Sequence, residues 1–558
     1  MARIESKILF ITTSPRTPFR MIPEIELLNT HFSGQKWDTE TQTAFMKLLR
    51  EENFFYGEGT NDPAFSARDR INRAPKALGF VTLSPVINLT AAGQELMQTK
   101  RKEEIFLRQL LKFQLPSPYH KPTDKAATFW VKPYLEIFRL IRHFGSLNFD
   151  EIMLFGLQLV DYRIFDNVVE KIAQFRIAKA KTEQNYKSFR NEYLTDELKT
   201  IYSEKILSGA TQTRESNDNS LTKFLQTKAS NMRDYTDALF RYLRATSLVN
   251  ISHIGKSISI APEKVLEVDY FLEHTDREPC FVDDEKQYAT YLANPEIPQL
   301  FTDNKELLLS KFQNEFPHIK VDKSFAVSKL KDILYDEITK RKESIIDGQI
   351  TAIKDYHLYD DINVTFNQIA SKSLYDAPLM LEWNTWRAMT MLDGGKVTAN
   401  LKFDDFGNPM STAQGNMADI VCDYGDFGLT VEVTMQMGQR QYENEGEPVT
   451  RHLAKWKKET GKPSYCLFIA PEINEACIAF FYTLHKTNIS YYGGVSTIVP
   501  LPLSIFQKMV EDSYKAYYTP QPQQVQRFFE RSNEIAETSI DEKTWYKEVT
   551  NEALNWLG

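Results

Sequence analysis

Cysteine is scarce in this 558-residue chain, and the four that occur, Cys280, Cys422, Cys466 and Cys477, are far apart with no CxxC pair. That spacing argues against a disulfide framework and against a structural zinc site, and leaves four reduced thiols. Long hydrophobic runs are also missing: no stretch approaches the roughly 20 apolar residues that span a bilayer. The N-terminus leads into the short run ILFIT (8–12) without the apolar region and small-residue cleavage site of a signal peptide. An intracellular protein is expected. What is there is an ordinary globular composition, 42% hydrophobic and 12% aromatic at 64.7 kDa. A chain this long is expected to divide into three or four domains.

The net charge of −8 hides an asymmetry. Residues 1–250 carry 36 Lys and Arg against 29 Asp and Glu, a net +7, and the rest carry 31 against 46, a net −15. Such a split suits a front half that holds a polyanion and a back half that keeps its acids for another task. Uneven solvated surfaces with no partner would give the same count.

Along the chain, TSPRTP (13–18) is a turn-rich segment with two prolines and an arginine. FSARDRINRAPKALG (65–79) reads as a helix with Ser66 as N-cap and Gly79 as C-cap, its Arg68, Arg70 and Arg73 on the polar side. Residues 80–83 and 86–90 flank Ser84 and Pro85 as a small hairpin, and a helix resumes over 91–97. Basic helix, hairpin, helix is the outline of a winged helix, which puts a helix into the major groove and a hairpin against the backbone. The pattern returns with a helix over 228–246 and strands over 248–251 and 257–261, again with an Arg-Asp dipeptide expected early in the helix (Arg68-Asp69, Arg233-Asp234). Residues 129–144 and 149–161 read as amphipathic helices, and 208–220 as a polar loop. Residues 276–374, strongly charged, read as a helical connector with helices over 305–312 and 327–342.

The stretch NMADIVCDYGDFGLTVEVT (416–434) reads as two short strands joined by a turn. Asp419 opens the first, and Glu432 sits inside the second between Val431 and Val433, where a carboxylate costs desolvation unless a cation or donor meets it. Before it, Glu382 lies in an apolar helix over 379–392 and a strand is expected over 396–403. After it come Glu443, Glu445 and Glu447, then a helix from Pro448 to Lys458 that places His452, Lys455 and Lys458 about a turn apart, and the apolar strand SYCLFIA (464–470). This order resembles the PD-(D/E)XK nuclease core. Phosphodiester hydrolysis there calls for a hard divalent cation held by oxygen ligands, here Asp419 and Glu432, with Glu382 completing the site through water. A hairpin with incidental acids fits the same Asp and Glu spacing. Two departures stand out: Ala418 replaces the Pro, and Thr434 stands where the Lys would be, so another group must stabilise developing charge. Glu445, His452 and Lys455 are the candidates, and a solvated helix face fits them equally.

The blocks TSPRTP (13–18), AFSARDR (64–70), PSPYHK (116–121), MRD (232–234), EWNTW (382–386), the Asp419 strand, EVT (432–434), EPVTRH (447–452) and YCLFIAPEIN (465–474) run through nearly the whole chain. In them the sequence resembles the AlwI/BstNBI family of type IIS restriction and nicking endonucleases of bacteria. The resemblance implies a cytoplasmic restriction-modification enzyme that uses Mg2+, binds a short asymmetric duplex site related to GAGTC or GGATC, and cuts a few base pairs away. It matches Glu382, Asp419, Glu432 and Glu445 to catalytic acids, and shares the Glu-x-Thr form. The expected fold is multidomain α+β: winged-helix-like DNA-recognition subdomains over 1–125 and 126–275, a helical linker over 276–374 and a PD-(D/E)XK cleavage domain over 375–558. Base contacts are expected from Arg68, Arg70, Arg73 and Arg233. One such site cuts one strand, so a double-strand break calls for a transient homodimer or a small partner subunit. Rival readings are a strand-specific nicking subunit, a repair nuclease, and a DNA-binding regulator with an inactive nuclease-like domain.

Overall fold

The computed structural model describes residues 2–5, 7–52, 54, 62–122, 129–213, 215–392, 395–412, 416–516 and 520–557. Among them no helix is long and apolar enough to cross a membrane, and the four cysteines are free thiols. The architecture is mixed α+β. The chain folds as two units, Met1–Leu48 with Gly59–Glu337 and Leu49–Glu58 with Ile338–Gly558. The boundaries expected at 125, 275 and 374 fall inside these units, and the helix Val327–Lys354 runs across the division.

In the first unit the two helix-and-hairpin modules are present with shifted edges. The first helix is Pro63–Ile71, extended by a π-helical turn Asn72–Lys76. Its N-cap is Asp62, whose carboxylate accepts the Phe65 N–H at 2.8 Å, and Ser66 lies within the helix. Asp followed by Pro at the first helical position outranks a serine further in. The hairpin pairs Val81–Thr82 with Asn88–Leu89, and Ala91–Gln98 follows. Gly79 has φ +77°, and a Cβ there would lie 2.6 Å from that of Leu292.

The second module contains the helix Leu221–Arg244, seven residues longer at its start than the sequence reading, capped by Ser220. Arg233 and Asp234 therefore lie in its middle and not near its start. Strands Val249–Ser252 and Ser257–Ile260 pair antiparallel, and Ser146–Asn148 adds to the second of them, giving a three-stranded sheet. The expected helix over 129–144 begins at Pro133, and the one over 149–161 ends at Leu154. The run 8–12 is buried but forms no ladder; Leu9 N–H donates to Leu157 O at 2.7 Å.

The first module is closed by chain from far along the sequence. Helix Lys102–Lys112 is buried over its last eight residues. Lys112 Nζ donates to the carbonyls of Tyr291, Leu292 and Asn294 at 3.3, 2.9 and 2.7 Å. Burial and the nearby Arg108 charge push Lys112 down to about 6, while three carbonyl oxygens, which only an ammonium can serve at once, hold its proton. Gln109 Nε2 donates to Leu292 O at 2.8 Å, and Arg108 donates to the carbonyls of Glu296 and Pro298 and to Asp303.

His120 is wholly enclosed between the rings of Phe10 and Phe113, with Nδ1 3.2 Å from Ser117 Oγ. Burial, with nearby positive charge that includes Lys76 adding to it, lowers it to about 4. A folded-state value below the unfolded one means that stability is fully present above about pH 6.5 and is lost as pH falls toward 4, since only the unfolded chain takes up the proton there. The loss is roughly 3 kcal/mol. Urea unfolding followed between pH 7.5 and pH 4 is expected to show this acid limb in the native protein and a shallower one in His120→Phe.

The second unit is built on a five-stranded sheet in the order Ile498–Pro502, Ser464–Ala470, Gly428–Val433, Ile420–Asp423, Lys396–Ala399. The last three pair antiparallel; the first three run parallel, with crossovers through helices Gln439–Thr460 and Glu475–Lys486. Every residue of Ser464–Ala470 is buried, as its continuous apolar run predicts. Helix Ala377–Leu392 packs on strand Lys396–Ala399 and on the central strand Gly428–Val433. Gly428 is needed because a Cβ would lie 2.3 Å from Trp456 Nε1 and 3.0 Å from Ser464 Oγ. Gly428→Ala is expected to lower unfolding free energy by about 1–3 kcal/mol, read in a denaturant melt, by forcing helix Gln439–Thr460 off the strand.

Candidate active site and recognition cleft

The ladder ends at Ile420↔Val431, with Asp419 immediately before its strand and Glu432 the next residue on the partner strand, so the two carboxylates meet at the end of the pair. Asp419 Oδ2 accepts the Val433 N–H at 2.9 Å. Glu432 lies in the central strand beside Phe468 of the next strand, and it is 5% exposed. Its carboxyl meets His452, whose Nδ1 is 2.8 Å from Oε1.

His452 stands on helix Gln439–Thr460, which the sequence reading starts nine residues too late, at Pro448. The proline is inside the helix, where its ring removes one backbone donor without ending the element. The longer helix puts Glu445 and His452 two turns apart on one face. Glu445 Oε1 accepts from Gln436 Nε2 at 3.3 Å. Thr434 gives no cation; its Oγ accepts the Gln436 N–H at 3.1 Å, and its hydroxyl also bears on the Glu445 carboxyl.

Cations arrive from the same helix. Arg451 bonds Asn416 Oδ1 and lies 3.2 Å from Glu447. Lys455 Nζ donates to Asn416 O at 3.1 Å. The four-residue spacing holds both on one side, against the loop that enters the Asp419 strand. Arg451 was missed from sequence, although it stands next to His452 in a block singled out there. Lys458 is exposed. Glu382 is buried on the helix Ala377–Leu392. The structure thus brings Asp419, Glu432, Glu445 and His452 together. Among the described residues no three His, Cys, Asp or Glu side chains form a ready-made metal site.

In the first unit a cleft of about 960 Å3 lies between one face of helix Pro63–Lys76 and one face of helix Leu221–Arg244, with Arg68, Asn72, Arg73, Lys228 and Asn231 among its lining. The two helices picked out from sequence therefore face a common space. Arg68 Nη1 donates to Gln42 at 2.8 Å. Arg70 is bound in a two-point contact to the buried Glu24, an inward role unlike the base contact expected of it. Arg73 reaches Asp69 and, at 3.3 Å, Thr13 Oγ. Arg233 is exposed with no partner among the described residues.

The AlwI restriction endonuclease family matches residues 76–509 of this chain, more than half of it and including both the cleft's second helix and the carboxylate cluster. The chain belongs to the AlwI restriction endonuclease family. As a member it is a restriction endonuclease, a site-specific nuclease of type II. Among solved structures it is similar to the small subunit of the heterodimeric restriction endonuclease R.BspD6I, with 23% identity over 36% of this chain and 95% of that one, at a TM-score of 0.29. It is also similar to the BpuJ1 endonuclease binding domain in complex with pyrene- and phenanthrene-modified DNA (15% identity, 46% and 84% covered, TM-score 0.30), and to the restriction endonuclease FokI (13% identity, 85% and 84% covered, TM-score 0.23). No curated protein matches.

For an AlwI-family enzyme the electrostatics of the cluster are informative. Burial, then the nearby Glu445, holds Glu432 well above the usual carboxylate range. Glu445 is pushed up to about 7 by burial and by Asp419, against the pull of Thr434 and His452. Burial and then Arg451 press His452 down to about 4. The shifts on Glu432 and His452 have one sense: the metal-free pair is a neutral hydrogen bond and not an ion pair. Glu432→Gln, which keeps a neutral hydrogen-bonding group of the same shape, is therefore expected to cost less than about 1 kcal/mol, whereas His452→Ala strands a buried carboxyl and costs about 1–3 kcal/mol. Denaturant melts without divalent metal check this. A loss of about 3–5 kcal/mol for Glu432→Gln, the size expected on breaking a buried ion pair, would refute the neutral bond.

Proposed function

We propose that this protein is a Mg2+-dependent type IIS endonuclease whose first unit reads a short asymmetric duplex site and whose second unit hydrolyses a phosphodiester outside it. The observation that carries the reading is the placement of Asp419, at the entry to strand Ile420–Asp423 and bonded by the Val433 N–H, next to Glu432 of the neighbouring strand, under a helix that brings Glu445 and His452 to the same point. Helix, antiparallel strand pair, parallel strand and crossover helices in this order support a PD-(D/E)XK core. For the second recognition module, the strand order 146–148, 257–260, 249–252 beside a long helix supports a winged helix; for the first, a two-residue hairpin after a basic helix does so more weakly.

The donor set fits magnesium. Asp419, Glu432 and Glu445 offer oxygen alone, and Mg2+ is usually held by one or two carboxylates together with water and substrate phosphate. When bound, the ion polarises the phosphate and lowers the pKa of an attacking water. Around it the chain's own residues hold and orient. The Val433 N–H fixes the Asp419 carboxylate, His452 Nδ1 fixes Glu432, and Gln436 fixes Glu445. Arg451 and Lys455 supply the positive charge that the Lys of the motif would bring and that Thr434 does not. Glu382, on the adjoining helix, would complete the site through water.

Purified protein is expected to nick supercoiled plasmid at fixed positions with Mg2+ and to leave it intact with EDTA. Glu432→Ala and Asp419→Ala are expected to slow cutting at least about a hundredfold, the equivalent of about 2.7 kcal/mol, while a gel-shift assay shows unchanged site binding. Scattered cuts would point to a structure-specific repair nuclease, and binding without cutting in Mg2+ and Mn2+ to a regulator. One carboxylate site per chain cuts one strand at a time, so the nicked form is expected to accumulate before the linear form. Linear product that rises steeply with protein concentration would identify a second copy as the partner.

A further inference from the structure

The segment TSPRTP (13–18) has no part in the reading above, yet its Arg16 has an unusual mounting. The backbone is fastened on both sides: Tyr242, wholly buried, donates its hydroxyl to Pro15 O at 3.0 Å, and Pro18 and Phe19 sink into the core as a short helical turn. Between these anchors the Arg16 side chain stays 48% exposed. Its two terminal nitrogens each face a carboxylate one turn apart on the helix Leu221–Arg244, Nη2 to Asp234 at 3.2 Å and Nη1 to Asp237 at 3.6 Å. Asp234 is itself 44% exposed. The Asp234 pair, open to water on both sides, contributes about 0–1 kcal/mol to stability, so folding alone does not account for it. The two aspartates engage Nη1 and Nη2, Asp237 while also accepting from Arg241 Nε at 3.1 Å, and the Arg16 Nε has no partner among the described residues.

Thr13, three residues before Arg16, and Asp234, its partner, both line the recognition cleft, and Arg73 from the facing helix is held in the same manner by Asp69 and by Thr13 Oγ. The aspartates of the two Arg-Asp dipeptides thus each brace an arginine: Asp69 braces Arg73, and Asp234 braces Arg16. A rigid, outward-facing guanidinium presents parallel donors that match O6 and N7 of guanine in the major groove.

We infer that Arg16 is a specificity-determining residue that donates to O6 and N7 of one guanine in the recognised duplex, with Asp234 and Asp237 as its positioning residues. This rests on the first unit being the reader of DNA. The wild-type protein is tested first, by mapping its cuts on a plasmid of known sequence with Mg2+. Absence of fixed cut sites would fail that underlying reading and not the role of Arg16. The same map is then made for Arg16→Ala, Arg16→Lys and Asp234→Asn, together with the salt dependence of binding to the mapped site.

For Arg16→Ala, cutting at the wild-type site is expected to fall about ten- to a hundredfold, the value of one bidentate guanine contact. New cut sites should differ from the old at a single G·C pair. Arg16→Lys is expected to behave like the alanine variant, because an ammonium lacks the parallel donors, and Asp234→Asn to relax the same position by less. A uniform fall at every site with the salt slope reduced by about 1 would make Arg16 a phosphate contact, and an unchanged map would make it a surface ion pair; either overturns the inference. Should Arg16→Ala fail to fold by its thermal melt, Arg16→Lys decides alone, and an unchanged map for it overturns the inference.

Discussion

A carboxyl group in the middle strand of a buried sheet has to be answered by something polar, and the answer to Glu432 organises the second unit. His452 meets it directly, and that contact dictates the rest: a helix must cross the strand closely enough to deliver an imidazole, so the strand begins with a glycine under Trp456. The same helix then carries Glu445 in on one side and Arg451 and Lys455 toward the entry of the Asp419 strand on the other. Position 434 holds a threonine that orders Gln436 and Glu445. Glu445 and His452, with Arg451 and Lys455, thus depend on this one helix for their spacing, while Glu432 depends on the sheet.

In the first unit part of the basic excess is spent on internal ion pairs. Arg70 serves Glu24, Lys205 and Lys228 serve Glu5, and Arg108 and Lys331 share Asp303 and Glu104. What faces the cleft is a small number of oriented groups and not a uniform positive field. If the cleft holds duplex DNA as proposed, it would discriminate more than attract: diffuse charge binds any duplex, whereas fixed hydrogen-bond donors act only when the right base edge is present.

The parts legible in the sequence were those whose signal is local. Glu432 between two β-branched residues, the apolar run from Ser464 to Ala470, and hairpins bracketed by turn residues all follow from short-range pattern, and all are where they were expected. The misses share a cause. Pro448 and the acids before it read as a break, yet the helix passes through them because its buried face, Gly446 against Phe480 and His452 against Glu432, outweighs one lost backbone bond. Ser66 lost its cap to Asp62, and Arg70 turned inward to a glutamate 46 residues earlier, a partner that no local pattern names. The association of Glu445 with His452, and of Arg16 with Asp234, is likewise tertiary.

The clamp on helix Lys102–Lys112 bears on how the chain comes to be folded. Its buried lysine, glutamine and arginine find their acceptors between residues 291 and 303, nearly two hundred residues downstream. A protein made from its N-terminus at about 5–20 residues per second therefore spends on the order of ten seconds or more with those polar groups synthesised but unsatisfied. The leading module cannot complete its buried polar pairing while translation is under way; it closes only when the chain beyond residue 300 has emerged.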